Sequence, residues 1–163
     1  MNEINLDITE ISEYDNSIVS KFIYENWGSV LSVSRGKVHD TSKLPGFICK
    51  EQDKIIGLIT YNIENDECEI VTLDSKISNK GLGTQLLNRV IDKAKLKKCK
   101  RVWLITTNDN SNAIKFYQTK GFEWVGFYKD AMKEYRRLKP EIPESGNDNI
   151  PIKHEIEFEC KLE

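Results

Sequence analysis

The chain has 163 residues, of which 39% are hydrophobic and 31% charged, a composition typical of a single soluble globular domain. Its net charge of −2, with no evident basic face, argues against nucleic acid as a partner. No apolar run approaches the roughly 18 residues of a membrane span. The four scattered cysteines and two histidines lack the spacing of metal ligands, so we expect no metal. Free thiols and a polar, acidic N-terminal stretch predict a cytoplasmic protein.

The first half of the chain predicts a strand, a helix, a loop and three further strands. Residues 4–9 alternate weakly and predict the first strand. Asp15 or Asn16 can cap a helix with an apolar face that ends at Gly28. Residues 29–45 are polar and irregular, which predicts a loop with some local structure. Residues 47–50 and 55–62 then predict a β-hairpin, and residues 69–73 a third strand.

A long amphipathic helix and a buried strand follow. The apolar positions of the helix form two adjacent stripes, at residues 82, 86, 87, 90, 91 and 94. Residues 102–105 ("VWLI") are an uninterrupted apolar run, as expected of a strand covered on both faces. Asn110 or Ser111 can cap a short helix that ends at Gly121, and residues 122–128 predict another strand.

The last part of the chain predicts a helix, an insert and a final strand. Residues 130–139 have helical spacing that Pro140 ends, and residues 130–151 form an insert between the last two strands. Residues 152–162 alternate, which predicts a half-exposed antiparallel strand that could offer an edge for a homodimer. The inward positions are Ile152, Ile156, Phe158, Cys160 and Leu162, and the outward ones are Lys153, Glu155, Glu157, Glu159 and Lys161.

These elements predict a mixed α/β (α+β) domain that spans residues 1–163. Its sheet is expected to be antiparallel at the front, to contain one strand–helix–strand crossover in the middle, and to be antiparallel again at the end.

The segment "SNKGLGTQLL" (Ser78 to Leu87) places two glycines between a strand and a helix. It lacks the Gly-Lys-Ser/Thr ending of a nucleotide triphosphate loop, because Lys80 precedes Gly81. It also lacks the third glycine of a dinucleotide fingerprint, since residue 86 is leucine. Two interpretations remain open. The glycines bring backbone amides to a pyrophosphate at the helix N-terminus, or they merely fit a tight turn.

A second motif lies downstream of this loop at a fixed separation. The loop supplies Gly81 and Gly83, and the second motif supplies Asn110, Ala113, Tyr117, Gly121 and Phe122. Together they resemble the GNAT superfamily of acyl-CoA-dependent N-acetyltransferases, over nearly the whole chain. The resemblance implies a mainly antiparallel central sheet of six to seven strands, with a parallel pair at its centre and helices on both faces. It also implies acetyl-CoA as co-substrate.

The resemblance further implies where acetyl-CoA binds. Ser78 departs from the family pattern, which has Gln or Arg there, so backbone amides are expected to hold most of the pyrophosphate, with Lys80 compensating for the missing charge. A backbone N–H near Thr72 or Leu73 would stabilise the oxyanion. The implied cofactor-binding residues are Leu73, Ser75, Ser78, Asn79, Lys80, Gly81, Leu82, Gly83, Thr84, Asn110 and Tyr117.

Three residues are candidates for catalysis. Tyr117 matches the family tyrosine that protonates the leaving thiolate, although it could equally be a core residue. Glu67 and Glu69 lie two apart on one strand face, and either could be the general base or an ordinary surface carboxylate. Glu69 adjoins the apolar "IVTL", where desolvation would raise its pKa.

The acceptor side can be predicted only as regions. The resemblance points to residues 27–40, where Trp27, Arg35 and His39 are candidates for substrate binding, and to the insert. His39 by itself is more typical of a solvated loop.

The sequence therefore predicts transfer of an acetyl group from acetyl-CoA to a primary amine of a small molecule, by direct attack in a ternary complex. Two alternatives stay open: a sensor or subunit that binds acetyl-CoA without turnover, and an N-acetyltransferase that acts on proteins or peptides.

Overall fold

The computed structural model describes residues 6–77 and 81–163. The helices are α1 (Asn16–Trp27), α2 (Leu82–Leu96), α3 (Ser111–Thr119) and α4 (Met132–Leu138). The strands are β1 (Ile8–Glu10), β2 (Leu31–Ser34), β3 (Lys37–Asp40), β4 (Gly46–Glu51), β5 (Lys54–Glu64), β6 (Glu67–Ser75), β7 (Arg101–Thr107), β8 (Glu123–Tyr128) and β9 (Glu155–Lys161). No helix in these ranges is long and apolar enough to cross a membrane.

Seven strands form the main sheet, in the order β1-β4-β5-β6-β7-β9-β8. The neighbours β6 and β7 are parallel, and the other neighbouring pairs are antiparallel. Helix α2 makes the crossover between the two parallel strands. The predicted sheet, with a parallel pair at its centre, is confirmed.

Helices cover both faces of this sheet, as predicted. On one face, α2 and α3 pack in the largest apolar cluster, to which Leu86, Val90 and Phe158 belong. On the other face, α1 buries Val19 and Ile23 against β4 and β5. Helix α4 lies beside β2 in a smaller cluster around Met132 and Tyr135. The helices therefore cover the second face less continuously than the first, which leaves room for a site there.

The loop predicted for residues 29–45 is wrong, because β2 and β3 form a two-stranded antiparallel sheet there. Arg35 and Gly36 make the connection with positive φ values of 47° and 75°, as in a tight two-residue hairpin turn. Asparagine or aspartate is the usual residue before glycine in such a turn, so "RG" gave no hairpin signal. The register pairs Val33 with Val38.

Two expectations for the last strand are also wrong. Strand β9 lies between β7 and β8, so it offers no edge to a second subunit. Glu155 and Glu157, predicted to face outward, are 3% and 6% exposed. Alternation along β9 is present, but the face that the glutamates occupy is covered by the hairpin and by α4.

Candidate active site

A cleft opens where the two parallel strands separate. Strands β6 and β7 pair only over Glu67–Glu69 and Arg101–Trp103. Beyond that point β6 stays paired with β5 as far as Ser75, and β7 stays paired with β9. The gap is lined by residues 70–73 of β6, by residues 104–106 of β7, by Asn110 before α3, and by Ala113 and Tyr117 within α3.

A β-bulge marks the middle of this cleft. Thr60 pairs with Thr72, whereas the next residue of β5, Tyr61, pairs with Ile70, so Val71 is an extra residue on β6. The Thr60 and Thr72 hydroxyls are 2.7 Å apart, which fixes the register on the far side of the bulge. Val71 is therefore displaced at the point where β6 leaves β7.

Beyond the bulge, part of the β6 backbone is hydrogen-bonded to β5. The Lys76 N–H donates to the Ile56 carbonyl at 2.8 Å. Because successive N–H groups of a strand point to opposite sides, those of Leu73 and Ser75 are directed towards the cleft and that of Thr72 towards β5. Of the two positions considered for the oxyanion donor, this alternation favours Leu73.

The N-terminus of α2 lies at the end of the crossover loop, with Gly81 as its N-cap in a left-handed conformation (φ 72°). Gly81 has no side chain of its own, and no side-chain cap is present at this helix end among residues 6–77 and 81–163. The N–H groups of Leu82, Gly83 and Thr84 have no intrahelical acceptor and carry the positive end of the helix dipole. Such a terminus can bind an anion. Ser78, Asn79 and Lys80, also predicted to bind the cofactor, lie outside the described residues.

Positions 81 and 83 differ in whether the protein itself requires glycine there. Gly81 has a positive φ, so the turn itself accounts for it. Gly83 is helical, and a Cβ there would lie 3.7 Å from the Phe116 ring, an ordinary contact. Packing among the described residues therefore does not require glycine at position 83.

Tyr117 lies on the floor of the cleft and is 5% exposed. Its ring packs edge-on against Phe116 and Phe122, at centroid distances of 5.1 and 5.3 Å. Burial, together with the nearby Asp74, raises the pKa of Tyr117 well above its usual value, so the phenol keeps its proton throughout the physiological range. Both interpretations of Tyr117 hold structurally: the ring is core and the residue lines the cleft.

Asn110 and Trp27 also line the cleft. The Asn110 side chain caps α3 by accepting from the Ala113 N–H at 3.2 Å. The Trp27 indole N–H donates to Asp74 at 2.8 Å, which ties the end of α1 to β6. Burial raises the pKa of Asp74, and this bond from Trp27 partly offsets the effect. Asp74 is a cleft-side residue that the sequence did not single out.

Glu67 and Glu69 lie on one face, as predicted, but both are engaged elsewhere. Glu67 accepts from Arg101, whose Nε lies 3.0 Å from Oε1. Glu69 is buried and accepts from the Ser34 hydroxyl, and His39 Nε2 lies 3.2 Å from its other oxygen. Neither glutamate lines the cleft. They face a polar pocket under the hairpin instead.

His39 is not in a solvated loop, because it is 5% exposed on β3. Its Nε2 is near Glu69, but at an angle that makes no hydrogen bond, so it has no such partner among the described residues. Arg35 stacks on Trp103, with Cζ 5.3 Å from the ring centroid, and lies 3.7 Å from Glu157. Both residues therefore fasten the hairpin to the sheet.

A second cavity, of about 280 Å³, adjoins the cleft. Its walls come from α1, β2, α4 and residues 139–143, and most of its lining side chains are apolar. It shares Trp27, Val71 and Thr72 with the cleft, so the two spaces meet at the bulge. The two regions predicted for the acceptor, residues 27–40 and the insert, both contribute to it.

Two carboxylates, Glu141 and Glu155, line this cavity, and Glu155 is the buried one. Burial raises the pKa of Glu155 to about 7, while a hydrogen bond from Tyr135 lowers it and the charge of Glu69 raises it further. The Gly36 N–H donates to the Tyr135 hydroxyl at 3.1 Å and so fixes the phenol. Sequence reasoning missed Glu155 because strand alternation placed it outside, and only the cover provided by α4 and the hairpin reverses this.

Comparisons with known proteins agree with this geometry. The model of the acetyltransferase (GNAT) family matches residues 10–122. The uncharacterized protein YdhI of Bacillus subtilis is 44% identical over 149 residues, which cover 90% of this chain and 92% of that protein. The spermine/spermidine N(1)-acetyltransferase of B. subtilis is 40% identical, but over only 55 residues, or 33% of this chain and 36% of that protein.

Among solved structures, a B. subtilis acetyltransferase in complex with CoA superposes with a TM-score of 0.71. It is 18% identical, and the match covers 98% of this chain and all of that one, so it supports the fold. The family match, the long alignment with YdhI and the shared fold together establish that this chain belongs to the GNAT family of acetyltransferases and is an acyltransferase.

Proposed function

We propose that the protein transfers the acetyl group of acetyl-CoA to a primary amine of a small molecule, by direct attack in a ternary complex. The observation that carries this proposal is the junction of two spaces at Val71 and Thr72: a cleft between parallel strands on one side and a walled cavity on the other. A thioester brought along the cleft would meet an amine held in the cavity at this junction.

The cleft suits acetyl-CoA in chemistry and shape. The N-terminus of α2 offers N–H groups to the pyrophosphate, and glycine at position 83 has no side chain to block the helix backbone. The unpaired edge of β6 offers the backbone of Leu73 and Ser75 to the amides of the pantetheine arm. Asn110 lines the same cleft. The N–H of Leu73 would donate to the oxyanion of the tetrahedral intermediate.

Tyr117 would protonate the departing thiolate. Its phenol keeps its proton at neutral pH, because burial and Asp74 raise its pKa. A phenol is a weaker acid than a thiol, so the transfer depends on placement against the sulfur as the C–S bond breaks. The nitrogen then loses its second proton, which restores the phenol.

Because the cavity is enclosed, a small molecule is favoured over a protein chain as the acceptor. Residues 139–143 and α4 wall one side of it and the end of α1 walls another. A peptide acceptor would need an open groove at this point.

The test is release of CoA thiol, with detection of the acetylated product, for a panel of amines, amino acids, aminoglycosides, polyamines and peptides. We expect turnover on at least one small amine. Tyr117→Phe should lower kcat by about 10²–10⁴ and leave the Kd of acetyl-CoA unchanged. The matched control is Tyr14→Phe, since Tyr14 is a surface residue. Tight acetyl-CoA binding with no turnover on any amine would contradict the proposal and favour a sensor.

A further inference from the structure

The acceptor cavity has an uneven distribution of charge, which restricts its ligand. Apolar side chains from four elements form most of its wall, among them Leu31, Val33, Met132 and Ile142. Glu155 is the buried carboxylate among its lining residues. The other charged residues of the wall, Lys139 and Glu141, have opposite signs and belong to the segment after α4. The cavity thus combines one buried negative charge with an apolar wall.

We propose that the acceptor is a primary amine with a single positive charge on a compact apolar body, and that Glu155 accepts the proton which the ammonium must lose. This inference rests on the proposed function. Away from Glu155, a second ammonium would face either the apolar wall or the oppositely charged Lys139 and Glu141, so polyamines fit poorly. A volume of about 280 Å³ lies at the small end of ligand pockets and suits a compact molecule.

Glu155 is well placed to receive and release a proton. It lines the cavity on one side and, together with Tyr135, an open surface groove on the other. A proton taken from the ligand therefore has a path to solvent. The residue also starts β9 opposite Thr107, near the end of β7 that faces the cleft.

The groups that face Glu155 come from several elements. Tyr135 of α4 donates a hydrogen bond to it, and Glu69 of β6 repels its negative charge. Tyr128 of β8 is its pairing partner. Around the groove and the cavity rim are Arg35, Lys129, Glu134, Lys139 and Glu141.

Every proton and electron pair is accounted for in the proposed acetyl transfer. An alkyl ammonium of pKa about 10 gives one proton to the Glu155 carboxylate and becomes a neutral amine. The nitrogen lone pair forms the C–N bond with the thioester carbon, and the C–S bond breaks with its electron pair on sulfur. The thiolate takes a proton from Tyr117, which regains one from the new amide nitrogen. The Glu155 proton leaves through the groove.

The first experiment compares kcat/KM for 2-phenylethylamine, n-hexylamine, spermidine and glycine. We expect the two apolar amines to exceed the others by at least about tenfold, which is 1.4 kcal/mol. A preference for spermidine or glycine would overturn the inference while leaving the acetyltransferase proposal intact. Failure to acetylate any amine in the wider panel would instead remove the proposed function.

The second experiment identifies the base. For an apolar amine, kcat/KM of the wild type should rise as Glu155 ionises near pH 7. In Glu155→Gln this rising limb of the pH profile should disappear. Its kcat/KM should fall by at least about 10²-fold, with the Kd of acetyl-CoA unchanged. Glu69→Gln is the comparison, and we expect it to keep a pH-dependent rise of kcat/KM, displaced to lower pH because the charge of Glu69 raises the pKa of Glu155. Loss of the limb in Glu69→Gln, or its persistence in Glu155→Gln, would overturn the assignment.

A measurement independent of activity guards against misfolding of the variant. Burial raises the pKa of Glu155 to about 7 from its ordinary 4.5, so the folded protein holds this proton at pH values where the unfolded chain has lost it. Wild type should therefore lose stability relative to Glu155→Gln as the pH rises from 4.5 to 7, with no further relative loss above pH 7. A constant difference across this window would show that Glu155 does not titrate there, and would overturn its role.

Discussion

Gly81 and Gly83 lie two residues apart at the start of α2, yet only Gly81 has a backbone conformation that disfavours other residues. At position 83 alanine has a favourable helical backbone and ordinary space. Alanine within a helix is usually more stable than glycine by roughly 0.5–1 kcal/mol. Glycine at a position where stability favours a side chain is what we expect if acetyl-CoA approaches the helix backbone there.

Gly83→Ala should therefore separate stability from cofactor binding. We expect unchanged or higher stability to denaturant, together with a Kd for acetyl-CoA raised by at least about tenfold. Calorimetric titration and equilibrium unfolding measure the two quantities. Asn88→Ala, at an exposed position of the same helix, should raise stability without affecting the Kd. Unaltered acetyl-CoA binding in Gly83→Ala would mean that the helix backbone does not contact the cofactor.

Three glutamates of one sheet face show how environment decides the role of a side chain. Glu67 neutralises Arg101 and Glu69 fastens the hairpin through Ser34, so removal of either would disturb packing. Glu155 has a phenol as its hydrogen-bonding partner and an open cavity beside it. Of the three, Glu155 is the one that lines the acceptor cavity, so its carboxylate is placed to exchange a proton with a ligand there.

At the scale of elements, the segment after α4 is held as a wall of the cavity. Arg136 of α4 reaches across it, with Nη2 2.8 Å from the Pro143 carbonyl and 2.7 Å from the Ile152 carbonyl. Ile142 and Pro143 line the cavity directly beside these contacts. One guanidinium thus fixes both ends of the wall.

Arg136→Lys keeps the charge but loses the planar fork, so it should loosen this wall. We expect the KM for the amine to rise by about 3–10-fold and stability to fall by about 1–2 kcal/mol, with the Kd of acetyl-CoA unchanged. Steady-state kinetics and equilibrium unfolding check these values. Arg137→Lys is the control, because Arg137 is exposed and contacts Glu134 on its own helix. Equal effects of the two substitutions would show that the wall does not shape the acceptor site.

The elements that sequence predicted well are those fixed by local patterning. The stripes of α2 and the run "VWLI" of β7 are largely buried, as expected, and Gly81 and Asn110 are the N-caps of α2 and α3. The hairpin β2–β3 was missed because "RG" is an unusual turn. Glu155 and the anchoring of the insert were missed because both depend on contacts with distant elements, which no local period records.

For the whole molecule, the cleft divides the sheet into two halves that share only a short parallel pairing. Arg101 clamps this joint, because Nη1 lies 2.9 Å from Glu157 and 3.0 Å from Glu159 of β9 while Nε reaches Glu67 of β6. Helix α2 is the covalent crossover between the halves. A ligand in the cleft that pairs with β6 would fill the gap beyond the clamp.

Binding of acetyl-CoA should therefore protect one set of backbone amides in β6. The N–H groups of Leu73 and Ser75 face the cleft, where the thioester oxygen would accept from Leu73 and the pantetheine arm from Ser75. Their hydrogen exchange, followed by NMR on the ¹⁵N-labelled protein, should slow by at least about tenfold when acetyl-CoA is saturating. The N–H groups of Thr72 and Asp74 face β5 and should change much less.

AMP is the matched ligand for this experiment, since it carries the adenine and a phosphate but no pantetheine arm, and it should leave Leu73 and Ser75 unprotected. Uniform slowing over both sets of amides would indicate only the general stabilisation that any ligand of the folded state confers. No slowing at Leu73 and Ser75 with acetyl-CoA bound would mean that neither the thioester nor the pantetheine arm pairs with β6. In that case the junction at Val71 would lose its role as the place where thioester and amine meet.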